Sequence, residues 1–198
     1  MPIARNDCTG RKKDAIVRNY FLRPLAKLKL LEGRKKEGCC GPLTDVYLIF
    51  SYTAIRNRSD RGTFFVGYDC AAQLIDKVNS IKALKGAPPL SEPALFNPHT
   101  AKLSHDWPAG ITPLNCEAMR ILLLLASIWD ISRFYGAPAN ILSRIVRAPD
   151  RTVPAKDLLK IGEMTQRSGE DTVKWIESFG FERFYGALEL ASADEMVH

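Results

Sequence analysis

The run Ile121-Leu122-Leu123-Leu124-Leu125-Ala126-Ser127-Ile128-Trp129 decides the fold of this 198-residue chain. It lies between Arg120 and Asp130 and is nine residues long. A helix that crosses a bilayer needs roughly 20 apolar residues, so the run is expected to be core and the chain to have no membrane partner. Followed outward, the stretch from Leu114 to Tyr135 is apolar on nearly every side, adding Ile131 and Phe134. A helix apolar all round belongs at the centre of a bundle. Thr112 before Pro113 marks its start and Gly136 its stop.

The chain downstream is also helical in pattern. Ala139 to Ala148 places Ile141, Leu142, Ile145 and Val146 at helical spacing. Pro154 opens a helix through Leu158, Leu159, Ile161 and Met164 to Gly169, and Glu170 to Phe179 forms the last clear one before Gly180. A pentapeptide recurs, Arg133-Phe134-Tyr135-Gly136-Ala137 and Arg183-Phe184-Tyr185-Gly186-Ala187, and reads as two similar helix ends with glycine stops.

Upstream the texture changes. Residues 86–113 hold Pro88, Pro89, Pro93, Pro98, Pro108 and Pro113, too many for long regular elements, and read as a connection draped over the surface. Before it, Asp45-Val46-Tyr47-Leu48-Ile49-Phe50-Ser51-Tyr52 and Thr63-Phe64-Phe65-Val66 read as two strands of a hairpin around the polar loop 56–62. Asp69 then caps a helix running to Val78. Asp14 caps another, over residues 14–33, broken or kinked at Pro24 and stopped by Gly33. The expected fold class is α+β: a small hairpin lobe with a basic N-terminal helix (1–85), the Pro-rich connection (86–113) and a mainly α-helical bundle (114–198).

Composition agrees with a globular chain. It is 46% apolar and 25% charged, with 13 Gly and 12 Pro, which excludes collagen-like, coiled-coil and wholly disordered classes. The N-terminus has basic residues but no apolar h-region, and the expected location is cytoplasmic. Five cysteines, two of them adjacent, argue against a disulfide framework in such a chain.

The net charge of +6 is lopsided. Residues 1–40 carry 11 basic and 4 acidic side chains, whereas residues 81–198 carry 13 and 14. Arg11, Lys12, Lys13, Arg18, Lys27, Lys29, Arg34, Lys35 and Lys36 therefore form a candidate phosphate-contacting segment, extended by the loop cations Arg56, Arg58 and Arg61. Such a segment attracts polyanions and releases their condensed counterions, so the expected partner is a nucleic acid, RNA or DNA. The alternative is a solvated basic helix, or one that pairs with an acidic protein. Tyr47, Tyr52 and Phe64 could stack bases, although strand aromatics are more often core.

The segment from Cys39 to Ile75 resembles a small zinc-finger module found in hypothetical proteins of phages and plasmids. The resemblance rests on Cys39-Cys40, on the strand Asp45-Val46-Tyr47-Leu48-Ile49, and on Gly62-Thr63-Phe64-Phe65-Val66-Gly67-Tyr68-Asp69-Cys70-Ala71-Ala72-Gln73-Leu74-Ile75. It implies a cysteine knuckle, a hairpin and a helix around zinc. Two departures stand out: Tyr68 replaces a cysteine, and Cys39 and Cys40 have no residues between them. The candidate metal ligands are Cys39, Cys40 and Cys70. Structural zinc takes four ligands, and Cys8, His99 or His105 is left open as the completing one, beside a degenerate finger without metal.

No catalytic constellation is present: no nucleophile elbow, no P-loop, and His105-Asp106 alone in a Pro-rich loop. The expected function is a non-enzymatic accessory subunit that holds a nucleic-acid backbone. Competing expectations are a mobile-element protein that binds and inhibits a host defence complex of CRISPR type, and a helix-turn-helix regulator using residues 159–175.

Overall fold

The computed structural model describes Cys8, Gly10, residues 12–129 and residues 134–196. The order is α1 (Lys12–Asn19), β1 (Tyr20–Lys29), β2 (Lys36–Gly38), β3 (Gly41–Leu43), β4 (Val46–Ala54), β5 (Arg61–Gly67) and α2 (Tyr68–Ala83). Then come β6 (Leu95–Asn97), β7 (Lys102–Leu103), α3 (Pro113–Ile128), α4 (Ala137–Arg147), α5 (Ala155–Arg167), α6 (Glu170–Glu177) and α7 (Glu182–Met196). The fold is α+β. Among the described residues no helix is long and apolar enough to cross a membrane.

The main sheet has strand order β5-β4-β1-β6-β7, with β1 parallel to β6 and the other pairs antiparallel. Both faces are covered. On one, Leu48, Phe50, Tyr52, Phe64 and Val66 pack with Ile16 and Val17 of α1 and Leu74, Ile75 and Val78 of α2. On the other, Leu25, Leu28, Tyr47, Ile49, Phe65 and Phe96 share a core with α3 to α7. This is the period of two expected of strands, with each alternate side chain finding its own helical layer. Tyr47, Tyr52 and Phe64 are core on these two faces, with exposures of 0, 4 and 2%, and present no ring to a base.

The hairpin β4–β5 forms as the sequence leads one to expect, and the central helix α3 starts where expected but ends at Ile128, with Trp129 already extended, rather than running to Tyr135 and Gly136. Thr112 caps α3, its hydroxyl accepting from Asn115 N–H at 3.2 Å. Fully buried Asn115 in turn donates to the carbonyls of Pro149 and Arg151 and accepts from Val153 N–H, locking the helix start to the α4–α5 loop. Buried Glu117 accepts from Phe184 N–H at 2.9 Å and from Arg183, which docks α7 on α3.

Several expectations are corrected. The helix expected over residues 14–33 ends at Asn19, and Tyr20–Lys29 is instead a central strand. Leu22, Leu25 and Leu28 are buried at a spacing of three, which imitates a helix. The cause is a register shift between Pro24 and Ala26 that moves the inward set from one face to the other. Pro24 is tolerated because it sits at that bulge, and because β6 pairs with β1 only at Lys27 and Leu28.

The Pro-rich stretch is not draped outside. It supplies β6 and β7, and Pro93, Ala94, Phe96 and Ala101 are buried. Gly67, not Asp69, is the N-cap of α2, without a side-chain cap. The two pentapeptides also diverge. Gly136 (φ 70°) precedes α4, whereas Gly186 lies inside α7. Pro138 sits in the first turn of α4, where its missing N–H is tolerated and a helix can open, and Leu188 carries no such start signal. The last helix, α7, lies beyond the final one legible in the sequence.

Candidate nucleic-acid interface and cysteine centre

Because β1 and β4 are antiparallel, with Tyr20 opposite Ala54 and Lys29 opposite Val46, the sheet has two distinct ends. Ten residues of extended chain separate them by about 30 Å. The strand delivers N-terminal cations to both, so the described cations of residues 12–40 do not form the single cationic surface expected of them.

One end carries thiols. Cys39 and Cys40 occupy the two-residue turn between β2 and β3, where Gly38 pairs with Gly41. The turn is fixed on the main sheet by Cys39 N–H donating to Phe65 carbonyl at 2.7 Å. Gly38 is needed there: a Cβ would lie 2.7 Å from Leu43 Cδ2 and 3.1 Å from Phe65 O. Cys8 forms a disulfide with Cys39, where the sequence argued against a disulfide framework; Cys40, Cys70 and Cys116 are free. Cys40 Sγ lies 3.7 Å from Cys39 Sγ and donates to the Cys8 carbonyl at 3.4 Å. The sulfurs of Cys8, Cys39 and Cys40 all fall within 4.8 Å of one another. Cys70, in the first turn of α2, hydrogen-bonds to Cys40; burial and this neighbour push the Cys40 thiol up to about 12.

Of the three candidates left open by the sequence, Cys8 is the one that joins this cluster. His99 sits in the β6–β7 turn, and His105 Nδ1 lies 3.1 Å from Ser104 Oγ. The cluster also buries an ammonium. Lys13 is 7% exposed, and its Nζ donates to Gln73 Oε1 at 2.6 Å and to Cys70 Sγ at 3.4 Å. Neither a neutral amide nor a protonated thiol offsets a buried positive charge, whereas a thiolate does.

Three cations at this end are spoken for. Lys36 is buried, donating to the Trp129 carbonyl, so Lys13 and Lys36 are both corrected from surface to interior. Lys27 pairs with Glu92 and lies 4.4 Å from the Tyr68 ring centroid. The adjoining cavity of about 530 Å³ is lined by Lys27, Cys40, Cys70, Asp45 and Asp69. Lys29, Arg34 and Lys35 are exposed near the β1–β2 turn. Arg11 lies outside the described residues.

The opposite end is arginine-rich and open. Arg56 and Arg58 stand exposed in the β4–β5 loop, Arg61 starts β5, and Arg18 is exposed near the end of α1. Arg23 and the α4 residues Arg144 and Arg147 join them, none marked as a site residue by the sequence. A groove of about 600 Å³ runs between the sheet and α4, lined by Ser51, Arg61, Tyr135, Asn140, Arg144 and Arg147 among others. Arg144 is tied to the buried carboxylate of Asp157. Arg23, Arg61 and Arg147 have no ion-pair partner among the described residues. Burial, and then the like charge of Arg147, push the Arg23 guanidinium below its usual value. Only the i, i+3 spacing of Arg144 and Arg147 hinted at a shared face.

No protein-family model matches the chain, and neither a curated protein nor a solved structure matches it.

Proposed function

We propose that this protein is a non-enzymatic nucleic-acid-associated subunit that holds a phosphate backbone at the arginine-rich end of its sheet. The observation that carries the reading is convergence: Arg23 of β1, Arg61 of β5 and Arg147 of α4 gather at one end with no acidic partner among the described residues, and Arg56 and Arg58 stand exposed in the loop that leads into β5. Like charges held together lose repulsion when a polyanion enters, and each phosphate neutralised releases counterions. This replaces the N-terminal lobe as the contact surface with a surface drawn from both halves of the chain.

The reading includes a structural zinc centre at the other end, with Cys8, Cys39, Cys40 and Cys70 as its four ligands. A tetrahedral shell with Zn–S bonds near 2.3 Å has sulfur–sulfur edges of about 3.8 Å, against 3.7 Å between Cys39 and Cys40. Four thiolates would also set negative charge beside the buried Lys13 ammonium, whose Nζ lies 3.4 Å from Cys70 Sγ. Bound zinc would pin the segment before α1 to the β2–β3 turn; it requires the reduced form of the Cys8–Cys39 pair.

The α5–α6 pair does not favour a helix-turn-helix regulator. Helix α6 has eight residues and opens with Glu170 and Asp171, where a recognition helix would meet base edges and phosphates.

The test is fluorescence anisotropy with a short duplex and a single-stranded RNA at two salt concentrations. Binding that weakens steeply with salt, and weakens further in Arg56→Ala/Arg58→Ala, is expected. Absent or salt-independent binding by the intact protein overturns the reading, and capture of a protein partner from nuclease-treated lysate would then favour a protein-binding role. Zinc content of the reduced protein, lost in Cys70→Ala, tests the metal centre.

A further inference from the structure

Resting on that reading, we infer that the groove between the sheet and α4 takes single-stranded nucleic acid, with Arg61 and Arg147 on phosphates and Tyr135 stacked on an unpaired base. Three features of the groove point there together. The first is its form. At about 600 Å³ it has the size of a site that encloses a small ligand, and it is a recess rather than a flat cationic face. A duplex presents its phosphates on the outside of a stiff cylinder and keeps its base faces stacked within, so it offers nothing to a recess. A single strand can lay its backbone along the walls and turn a base inward.

The second feature is Tyr135. It is 71% exposed at the groove edge, although its neighbour Phe134 is fully buried in the core. Phe134 fixes the backbone at this point: its ring lies 6.4 Å from that of Trp129, and its carbonyl accepts from Thr63 Oγ1 of β5. The tyrosine is therefore held at the groove by an anchored chain, with a free face. Base–aromatic stacking is insensitive to sequence and needs such a platform beside a cationic track.

The third feature is the distribution of charge and hydrogen-bonding groups. Arg61 lies on the sheet wall and Arg147 on the helix wall, so a backbone between them meets a guanidinium on either side. A guanidinium matches a phosphate with two parallel N–H donors. Ser51, Asn140 and Ser143 also line the groove and supply neutral polar partners for sugar and base edges. Arg144, held by Asp157, acts as a fixed part of the helix wall rather than as a mobile contact.

The experiment compares a labelled 12-nucleotide single strand with a duplex of the same length, in anisotropy titrations at two salt concentrations. The proteins are the intact chain, Arg61→Ala/Arg147→Ala, Tyr135→Ala and Tyr135→Phe, each checked for its circular dichroism and melting temperature. The intact chain should prefer the single strand. Tyr135→Ala should weaken single-strand binding roughly tenfold while leaving the duplex within about twofold, and Tyr135→Phe should restore it because the ring is retained. The double arginine variant should lose still more, with a shallower salt dependence. Equal affinity for duplex and single strand, or single-strand binding unchanged by Tyr135→Ala, overturns the inference while leaving phosphate binding at this end intact. Failure of the intact chain to bind any nucleic acid overturns the broader reading as well.

Discussion

The two ends of the sheet began with the same kind of sequence and finished with opposite characters. Both receive cations from the basic first 40 residues. At the cysteine end three of those cations are turned inward or answered, while Lys29, Arg34 and Lys35 stay exposed: Lys13 lies among thiols and an amide, Lys36 donates to a carbonyl, and Lys27 meets Glu92. At the arginine end Arg23, Arg61 and Arg147 stand together without an acid among the described residues. Net charge therefore predicts poorly where a polyanion would sit. What matters is which cations the fold leaves uncompensated, because a paired charge has already given up much of its attraction to a newcomer.

The comparison can be broken most sharply at the thiols. The Cys8–Cys39 link spans 31 residues, and closing a loop of that size stabilises a fold by about 3–4 kcal/mol. Cys8→Ser, studied under oxidising conditions, should lower the melting temperature accordingly, while polyanion affinity at the far end stays within about twofold. A large loss of affinity would show that the ends are not independent.

Next in size is Lys13→Met. Outer-shell partners of a metal site commonly change its affinity by about 10–100-fold. Competition against a chromophoric chelator should show zinc held more weakly by this variant when reduced. Unchanged affinity would mean that the buried ammonium does not serve the thiolates.

The arginine end is probed by charge reversal. Arg147→Glu should weaken single-strand binding roughly tenfold or more, about 1.4 kcal/mol or above, whereas Lys35→Glu at the cysteine end should change it less than about twofold. Equal losses would return the contact surface to diffuse charge.

The smallest effect is expected where the α1–α2 layer bridges the two ends. Asp14 accepts from Lys77 Nζ at 2.6 Å, and this hydrogen bond, with the Lys77 charge, holds its carboxyl below the ordinary value of 3.8. A carboxyl lowered on folding adds stability above its ordinary value and loses that contribution as pH falls through the lowered one. Melting curves of Asp14→Asn should therefore show a slightly flatter acid limb than the parent, and no difference at neutral pH beyond a small offset. A steeper limb would contradict the sign.

Much of this was legible in the residues. Thr112-Pro113 gave the start of α3 correctly because a cap and an N1 proline act within a few residues of each other. The β4–β5 hairpin showed itself through β-branched and aromatic runs around a polar loop. Tyr20–Lys29 was not legible, because its burial at residues 22, 25 and 28 is produced by a bulge and by helices on both faces. Neither cause lies within the segment. Nothing local placed Arg23 or Arg61 beside Arg144 and Arg147.

The amino-acid sequence by itself determined the helical second half, the hairpin and the sign and location of the excess charge along the chain, since periodicity, capping and composition are properties of neighbouring residues. Tertiary structure alone decided that a basic segment becomes the central strand, that Cys8 joins the cysteine cluster, and that three arginines from β1, β5 and α4 meet without an ion-pair partner among the described residues. Those outcomes, read on the described residues, depend on strand register and on which layers close over each face, so they exist only once residues far apart in the chain have been brought together.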